Sequence, residues 1–200
     1  MSKVLVTESC LTDIGNAIRA KNGSTTKYKP SEMARAINGI PKQDNTAVNS
    51  IIDRTISGDY TNNEATSVGK YAFAFCFNLE TVTMTKATGI NTNAFFNCIN
   101  LISANLPNVK TVYSSAFNSS GLTSITFNNL VTLGSNSDYS GVFENTPMTS
   151  ISIPSTIKTI GLYALSYSSI KTITVNRKTG AISGAPWGAA GATVNWIGRT

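Results

Sequence analysis

The chain has 200 residues, of which 41% are hydrophobic and only 13% are charged, so it can bury a core while uncharged polar residues cover its surface. The net charge of +6 is divided evenly: residues 1–45 carry seven Lys/Arg against four Asp/Glu, and residues 46–200 carry nine against six. This even spread favours ordinary solubility and argues against a nucleic-acid partner. No apolar run approaches the ~18 residues that span a membrane, and no export signal is seen, so we expect neither membrane insertion nor secretion.

Residues 1–45 are predicted to form a small two-helix module followed by a linker. Apolar side chains recur there at the spacing of one helix face. They are Leu11, Ile14 and Ile18 in the first helix, and Met33 and Ile37 in the second. Two short amphipathic helices bury little surface alone, so we expect these side chains to dock on each other, on a second copy of the chain, or on a partner protein.

The stretch from residue 67 to residue 180 repeats itself at intervals of 21 to 27 residues. Each unit opens on an aliphatic residue: Val68, Ile90, Val112, Leu133 and Ile160, with Ile182 continuing the series. Each unit also carries one large apolar residue: Phe73, Phe95, Phe117, Phe143 and Leu165, with Trp187 continuing that series. A period of this length indicates a solenoid, in which each coil buries its apolar face against its neighbours.

Both ends of the repeats carry predicted caps. Residues 46–66 are interpreted as an entry cap with a strand around Ile52 and Ile56. Residues 181–200 keep the period but introduce two tryptophans, and they are interpreted as a C-terminal cap that protects the open edge of the solenoid.

Within each coil, alternating polar and apolar residues predict a strand whose polar side chains face outward. The outward residues are Thr81, Thr83, Ser124, Thr126, Ser150, Ser152, Thr172 and Thr174. Strands stacked about 4.8 Å apart would form one continuous sheet with a hydroxyl-rich outer face. This face is the candidate binding surface, with carbohydrate as one possible ligand. The alternative is a solvated sheet in which Thr merely favours strands.

The opposite side of the coils offers a second candidate surface. Its aromatic residues either pack between coils or form a contact patch for a partner protein. They are Tyr71, Phe75, Phe77, Phe96, Tyr113, Tyr139, Tyr163 and Tyr167. The insertion 135–140 is expected to protrude as a loop, which either carries recognition or is tolerated drift.

Residue types needed for catalysis and metal binding are scarce. The chain contains no His, which excludes Ser-His and Cys-His pairs. Cys76 and Cys98 lie one repeat apart, at a position that later holds only small residues, so they are predicted to be buried free thiols rather than metal ligands. We therefore expect no enzyme activity, no cofactor and no metal.

The units VGKYAFAFCFNLETVTM, INTNAFFNCINLISANLP and IGLYALSYSSIKTITV closely resemble the BspA-like leucine-rich repeat family, over about residues 62–178. The shared features are the Ala-Phe pair, the small Cys/Ser position and the Leu-x-x-Val-x-Met strand. The sequence departs from commoner leucine-rich repeats in lacking the Asn/Cys-x-Leu after the strand. The resemblance implies a leucine-rich repeat β-solenoid, in a family associated with bacterial surface adhesion and with bacteriophage proteins.

The two ends sharpen this resemblance. Residues 8–40 look like a module at the start of phage structural and tail proteins, and residues 183–196 look like the closing segment of phage-borne repeat proteins. This implies a virion protein, in a tail fibre or baseplate, that docks on other virion proteins, forms a homo-oligomer and contacts a host-surface glycan or protein. The alternatives are a capsid decoration or head-fibre protein and a bacterial cell-surface adhesin.

Overall fold

The computed structural model describes residues 54–135 and 141–198, together with the backbone of residues 47–48. Contacts divide the chain into residues 1–44 and 45–200, and the described residues all belong to the second unit. The predicted two-helix module, with Leu11, Ile14, Ile18, Met33 and Ile37, therefore lies outside the described residues. Most of the insertion at 135–140 does as well.

The described residues form twelve short strands joined by turns. The strands are β1 (Ala47–Val48), β2 (Ser57–Thr61), β3 (Ser67–Val68), β4 (Asn78–Thr83), β5 (Gly89–Ile90), β6 (Ser103–Asn105), β7 (Thr111–Val112), β8 (Thr132–Leu133), β9 (Ser150–Ile153), β10 (Thr159–Ile160), β11 (Thr172–Val175) and β12 (Thr193–Trp196). Every pairing between them is parallel, because each coil advances the chain by one strand in the same direction.

One side of the solenoid is a six-stranded sheet in the order β1-β3-β5-β7-β8-β10. Each of its strands is two residues long, and the second residue of each described strand from β3 to β10 is buried. These buried residues are the aliphatic ones that open the sequence repeats, so the predicted repeat solenoid is confirmed at this sheet.

The outer strands do not form one continuous sheet, which corrects the sequence prediction. They form a first outer sheet, β2-β4-β6, and a second outer sheet, β9-β11-β12. The segment Ser124–Asn128 lies between them in sequence but is not a strand. The sequence interval between the coils grows after this segment, from Thr126 to Ser152, because the insertion at 135–140 lies there. Alternation alone could not show that this coil would fail to pair.

The interior is a stack of aromatic rings running along the solenoid axis. Phe73, Phe95, Phe117 and Phe143 are fully buried. Their successive ring centroids lie 5.0, 5.2 and 5.7 Å apart, with interplanar angles of 11°, 4° and 8°. These four rings fill the interior of successive coils, and the buried Leu165 and Trp187 continue the series, so neighbouring coils share a single core.

The stack is closed at both ends by aromatic side chains from the predicted caps. Tyr60 of β2 contacts Phe73 edge-on at 4.9 Å. Trp196 of β12 contacts the buried Trp187 at 6.0 Å. The entry strand β2 begins at Ser57, directly after the predicted Ile56, and Ile52 lies outside the described residues. Residues 193–196 form a full outer strand rather than only an edge cover.

Close backbone packing between coils restricts certain positions to glycine. A Cβ atom on Gly161 would lie 2.4 Å from the carbonyl oxygen of Ser135 in the preceding coil. A Cβ atom on Gly89 would meet nothing within 4 Å. Gly89 is the first residue of β5, whereas Gly161 directly follows β10, and of the two only Gly161 is required by the space available to it.

The turns after the buried rings use a left-handed residue in successive coils. The φ angle at this position lies between 54° and 64°, and the residues that occupy it are Phe75, Asn97, Ser119, Asn145 and Tyr167. The conformation directs their backbone N–H groups to the next coil, as in the bond from Asn97 N to Asn118 O at 2.9 Å. Asn accepts this conformation more readily than other non-glycine residues, whereas an aromatic residue there is strained.

The predicted small-residue position is a hydrogen-bonding position as well as a tight one. Cys76 and Cys98 are buried and form no disulfide, as predicted. The Thr146 hydroxyl donates to the carbonyl of Phe143 at 2.8 Å, and Cys98 Sγ donates to the carbonyl of Phe73 at 3.0 Å.

Candidate binding surface

The first outer sheet places polar side chains in rows that cross its three strands. The rows are Asp59, Thr81 and Ser103, then Thr61, Thr83 and Asn105. The intervening Val82 is buried, so Thr81 and Thr83 face outward as predicted. Within the first row the Thr81 hydroxyl donates to Asp59 Oδ1 at 2.6 Å, which fixes the orientation of both groups.

The second outer sheet repeats the arrangement. Its rows are Ser150, Thr172 and Thr193, then Ser152, Thr174 and Asn195. Ile151 and Ile173 between them are buried, so the predicted hydroxyls of Ser150, Ser152, Thr172 and Thr174 all face outward. Apart from the carboxylate of Asp59, each sheet therefore presents uncharged donors and acceptors at regular spacing. We call these outward rows of the two outer sheets the hydroxyl face.

Ser124 and Thr126, which were predicted to belong to the same continuous sheet, lie outside both outer sheets. Their side chains are exposed, while Ile125 and Phe127 remain in the core. The gap between β6 and this segment is a shallow groove of about 280 Å³ that includes Ser103, Asn105 and Asn128 in its lining. The structure thus joins six of the eight predicted residues to strand rows and leaves two beside a groove.

Several outward residues of these rows were missed by sequence reasoning. Asp59 and Thr61 lie in the entry strand, and Thr193 and Asn195 lie in the last strand. For the last strand a signal was present, since Thr193-Val194-Asn195-Trp196 alternates in the same way 21 residues after Thr172. For the entry strand the bulge between Gly58 and Asp59 hides the register.

The aromatic residues on the opposite side divide into two groups. Phe75 and Phe96 are half-buried and pack edge-on at 5.4 Å. Tyr167 is the most exposed of the second group, with 74% of its surface accessible. The exposed residues are Tyr71, Phe77, Tyr113, Tyr163 and Tyr167. Tyr139 lies outside the described residues. Packing between coils and solvent exposure are therefore both present among the described residues that were named for this side, and a contact patch for a partner protein stays a prediction.

No cluster of three or more His, Cys, Asp or Glu in residues 54–135 and 141–198 is placed to hold a metal ion. Burial beside Cys76 raises the pKa of the Cys98 thiol to about 12, so that thiol stays protonated and unreactive. Among the same residues, no helix has the length and apolar character that a membrane crossing requires.

The repeats of this chain match the model of a known protein family. The model of the BspA type leucine rich repeat region matches residues 66–185 with six copies. The chain belongs to this family. BspA-type repeats cover more than half of the chain, and their range coincides with the coils that share the aromatic stack. No curated protein matches the chain.

Two solved structures share the fold of this BspA-type chain. A leucine-rich repeat protein from Eubacterium ventriosum is 26% identical, with a TM-score of 0.54, over 62% of this chain and 33% of its own length. A leucine-rich repeat protein from Bacteroides ovatus is 20% identical, with a TM-score of 0.57, over 74% of this chain and 42% of its own. The chain thus spans less than half the length of either protein.

Proposed function

We propose that this BspA-type protein is a bacteriophage virion component, in a tail fibre or baseplate, that displays the solenoid for adhesion to a host surface. The observation that carries the adhesion role is the hydroxyl face. The coils use their apolar residues for a common core, and they hold rows of hydrogen-bonding groups outward on a rigid frame, of which only Asp59 is charged. Such rows suit a ligand rich in hydroxyls, such as a surface glycan.

The virion setting is supported by the resemblance of residues 8–40 and 183–196 to segments of phage proteins. In this setting the N-terminal residues, including Leu11, Ile14 and Ile18, attach the solenoid to other virion proteins or to further copies of the chain. A capsid decoration or head-fibre protein would use the same parts, with a mainly structural role for the solenoid.

A bacterial cell-surface adhesin is the second candidate. It is favoured by the source of the similar solved structures, which come from the bacteria Eubacterium ventriosum and Bacteroides ovatus. The hydroxyl face would serve adhesion in the same way, on the surface of a cell instead of a virus particle.

Immunogold electron microscopy of a producing culture separates these settings, using an antibody to residues 46–200. Gold at the tail end of particles is the expected result. Gold over the heads would make the protein a capsid component, and gold on cells but on no particle would contradict the virion proposal in favour of the cell-surface adhesin.

A second experiment tests the hydroxyl face itself. Lysine at Thr83, Thr126 and Thr174 places three long charged side chains on or beside the outer sheets, and we expect adhesion to fall. The matched control places lysine at the exposed residues Ile99 and Ser169 in the turns after the buried rings. Unchanged adhesion of the first variant would remove the hydroxyl face from the proposal, and loss in the control alone would transfer the contact to the aromatic side.

A further inference from the structure

A cleft of about 720 Å³ opens near the C-terminal ends of the second outer sheet. Its walls come from turns that follow strands β9 and β11, and from the residues next to β8, β10 and β12. The lining residues include Lys158, Arg177, Lys178, Ser155, Thr156 and Asn176. A cleft of this size is in the range that holds a small ligand, and three of its lining residues are cations.

The charge around this cleft is one-sided. Residues 46–144 carry four Lys/Arg against six Asp/Glu, whereas residues 145–200 carry five Lys/Arg and no Asp or Glu. The net charge is therefore −2 over residues 46–144 and +5 over residues 145–200. This asymmetry is not visible when residues 1–45 are compared with residues 46–200 as a whole. Across the described residues, the one ion pair joins Lys86 to Glu64, far along the chain from the cleft.

Arg177 is fixed in the cleft wall by its own contacts. Its Nη1 donates to the carbonyl of Ile157, which leaves four further guanidinium N–H donors. Its backbone carbonyl accepts from Gly198 N at 3.2 Å, and a Cβ on Gly198 would collide with the Arg177 backbone. An arginine held in this way loses little side-chain freedom when it binds an anion.

We propose that this cleft is a binding site for an acidic oligosaccharide, whose carboxylate or phosphate groups pair with Lys158, Arg177 and Lys178. The hydroxyl and amide groups of Ser155 and Asn176 are placed to contact the sugar hydroxyls. Because none of the described residues that line the cleft is an Asp or a Glu, the positive charge of the three side chains is available to the ligand. The inference rests on the proposed function, since it names the class of glycan that a surface-binding solenoid would hold.

Titration calorimetry of the full chain tests the site with three probes: a short oligogalacturonate, a phosphorylated malto-oligosaccharide and the neutral malto-oligosaccharide. At least one acidic probe is expected to bind about tenfold more tightly than the neutral one. The comparison of the two acidic probes assigns the anion as carboxylate or phosphate. Equal or undetectable binding of all three would overturn the proposal.

Matched variants locate the binding. Lys158→Gln with Lys178→Gln is expected to weaken the acidic probe about tenfold or more. The control is Lys110→Gln with Lys171→Gln, which removes the same charge outside the cleft; Lys110 precedes β7 as Lys158 precedes β10. The control is expected to change the affinity less than about twofold. An equal loss in both variants would mean attraction by net charge alone and would overturn the site.

The same variants distinguish failure of the site from failure of the proposed function. A chain that binds acidic oligosaccharide through the cleft but adheres to no cell would support the site and contradict the adhesion role. A chain that adheres to cells, and whose Lys158/Lys178 variant binds the probes as the wild type does, would overturn the site and leave the adhesion role standing.

Discussion

The stack of buried rings makes a quantitative prediction at its middle. Phe95 is fully buried and lies between Phe73 at 5.0 Å and Phe117 at 5.2 Å. Phe95→Ala removes the ring from both contacts and leaves a cavity that two neighbouring coils must share. Because each coil packs only on its neighbours, this single change weakens two interfaces between coils at once.

The expected cost follows from burial and from the two ring contacts. Truncating a buried Phe costs about 3–5 kcal/mol, and each stacked pair adds about 0.5–1.5 kcal/mol beyond area burial. With two stacked pairs, we expect the free energy of unfolding to fall by about 4–8 kcal/mol for Phe95→Ala. Phe95→Leu keeps most of the buried volume and loses only the stacking, so about 1–2 kcal/mol is expected.

Guanidinium denaturation measures these differences, followed by far-ultraviolet circular dichroism and by the fluorescence of Trp187 and Trp196. Phe96→Ala is the matched control, because Phe96 is the next residue in the chain and only half-buried. It should cost less than half as much as Phe95→Ala. A cost below about 1.5 kcal/mol for Phe95→Ala, or equal costs at the two positions, would refute the role of the stack.

Three further predictions concern other positions. Gly161→Ala should lower the free energy of unfolding by about 2 kcal/mol or more because its Cβ meets a backbone carbonyl, while Gly89→Ala, which meets nothing, should leave the thermal midpoint unchanged or slightly higher. Thr146→Val loses the hydrogen bond to the Phe143 carbonyl and should lower the free energy of unfolding, measured by urea denaturation, by about 1 kcal/mol. Ser120→Ala should leave it unchanged, because the buried Ser120 hydroxyl has no hydrogen-bond partner. Cys98 should resist iodoacetamide in the folded chain and react once the chain is unfolded. Because folding raises the pKa of its thiol from 9.0 to about 12, the free energy of unfolding should fall as the pH rises above 9. Cys98→Ala should reduce that fall.

Period and residue type were sufficient to predict the solenoid. The aliphatic and the aromatic core residues recur at the same interval, as in Val68, Ile90 and Val112 and in Phe73 and Phe95. Both series could therefore be assigned to the core from the sequence alone. The outward direction of Thr83 and Thr174 followed from alternation along a strand, which holds wherever the strand exists.

The interruption of the outer sheet could not be predicted in the same way. Ser124 and Thr126 alternate with Ile125 and Phe127 as regularly as the residues of β11 do. The segment pairs neither with β6 before it nor with β9 after it, and pairing is a property of two coils rather than of one segment. The cleft lined by Lys158 was missed for a similar reason, because its residues come from four segments that are distant in sequence.

Binding of the purified full chain to intact bacterial cells tests the central claim most directly, using the strain whose cultures produce the protein. The account predicts saturable binding that is weakened by lysine at Thr83 and Thr174 and is competed by a soluble surface glycan. Binding that does not saturate, or that is the same for wild type and for variants of both the hydroxyl face and the cleft, would contradict it.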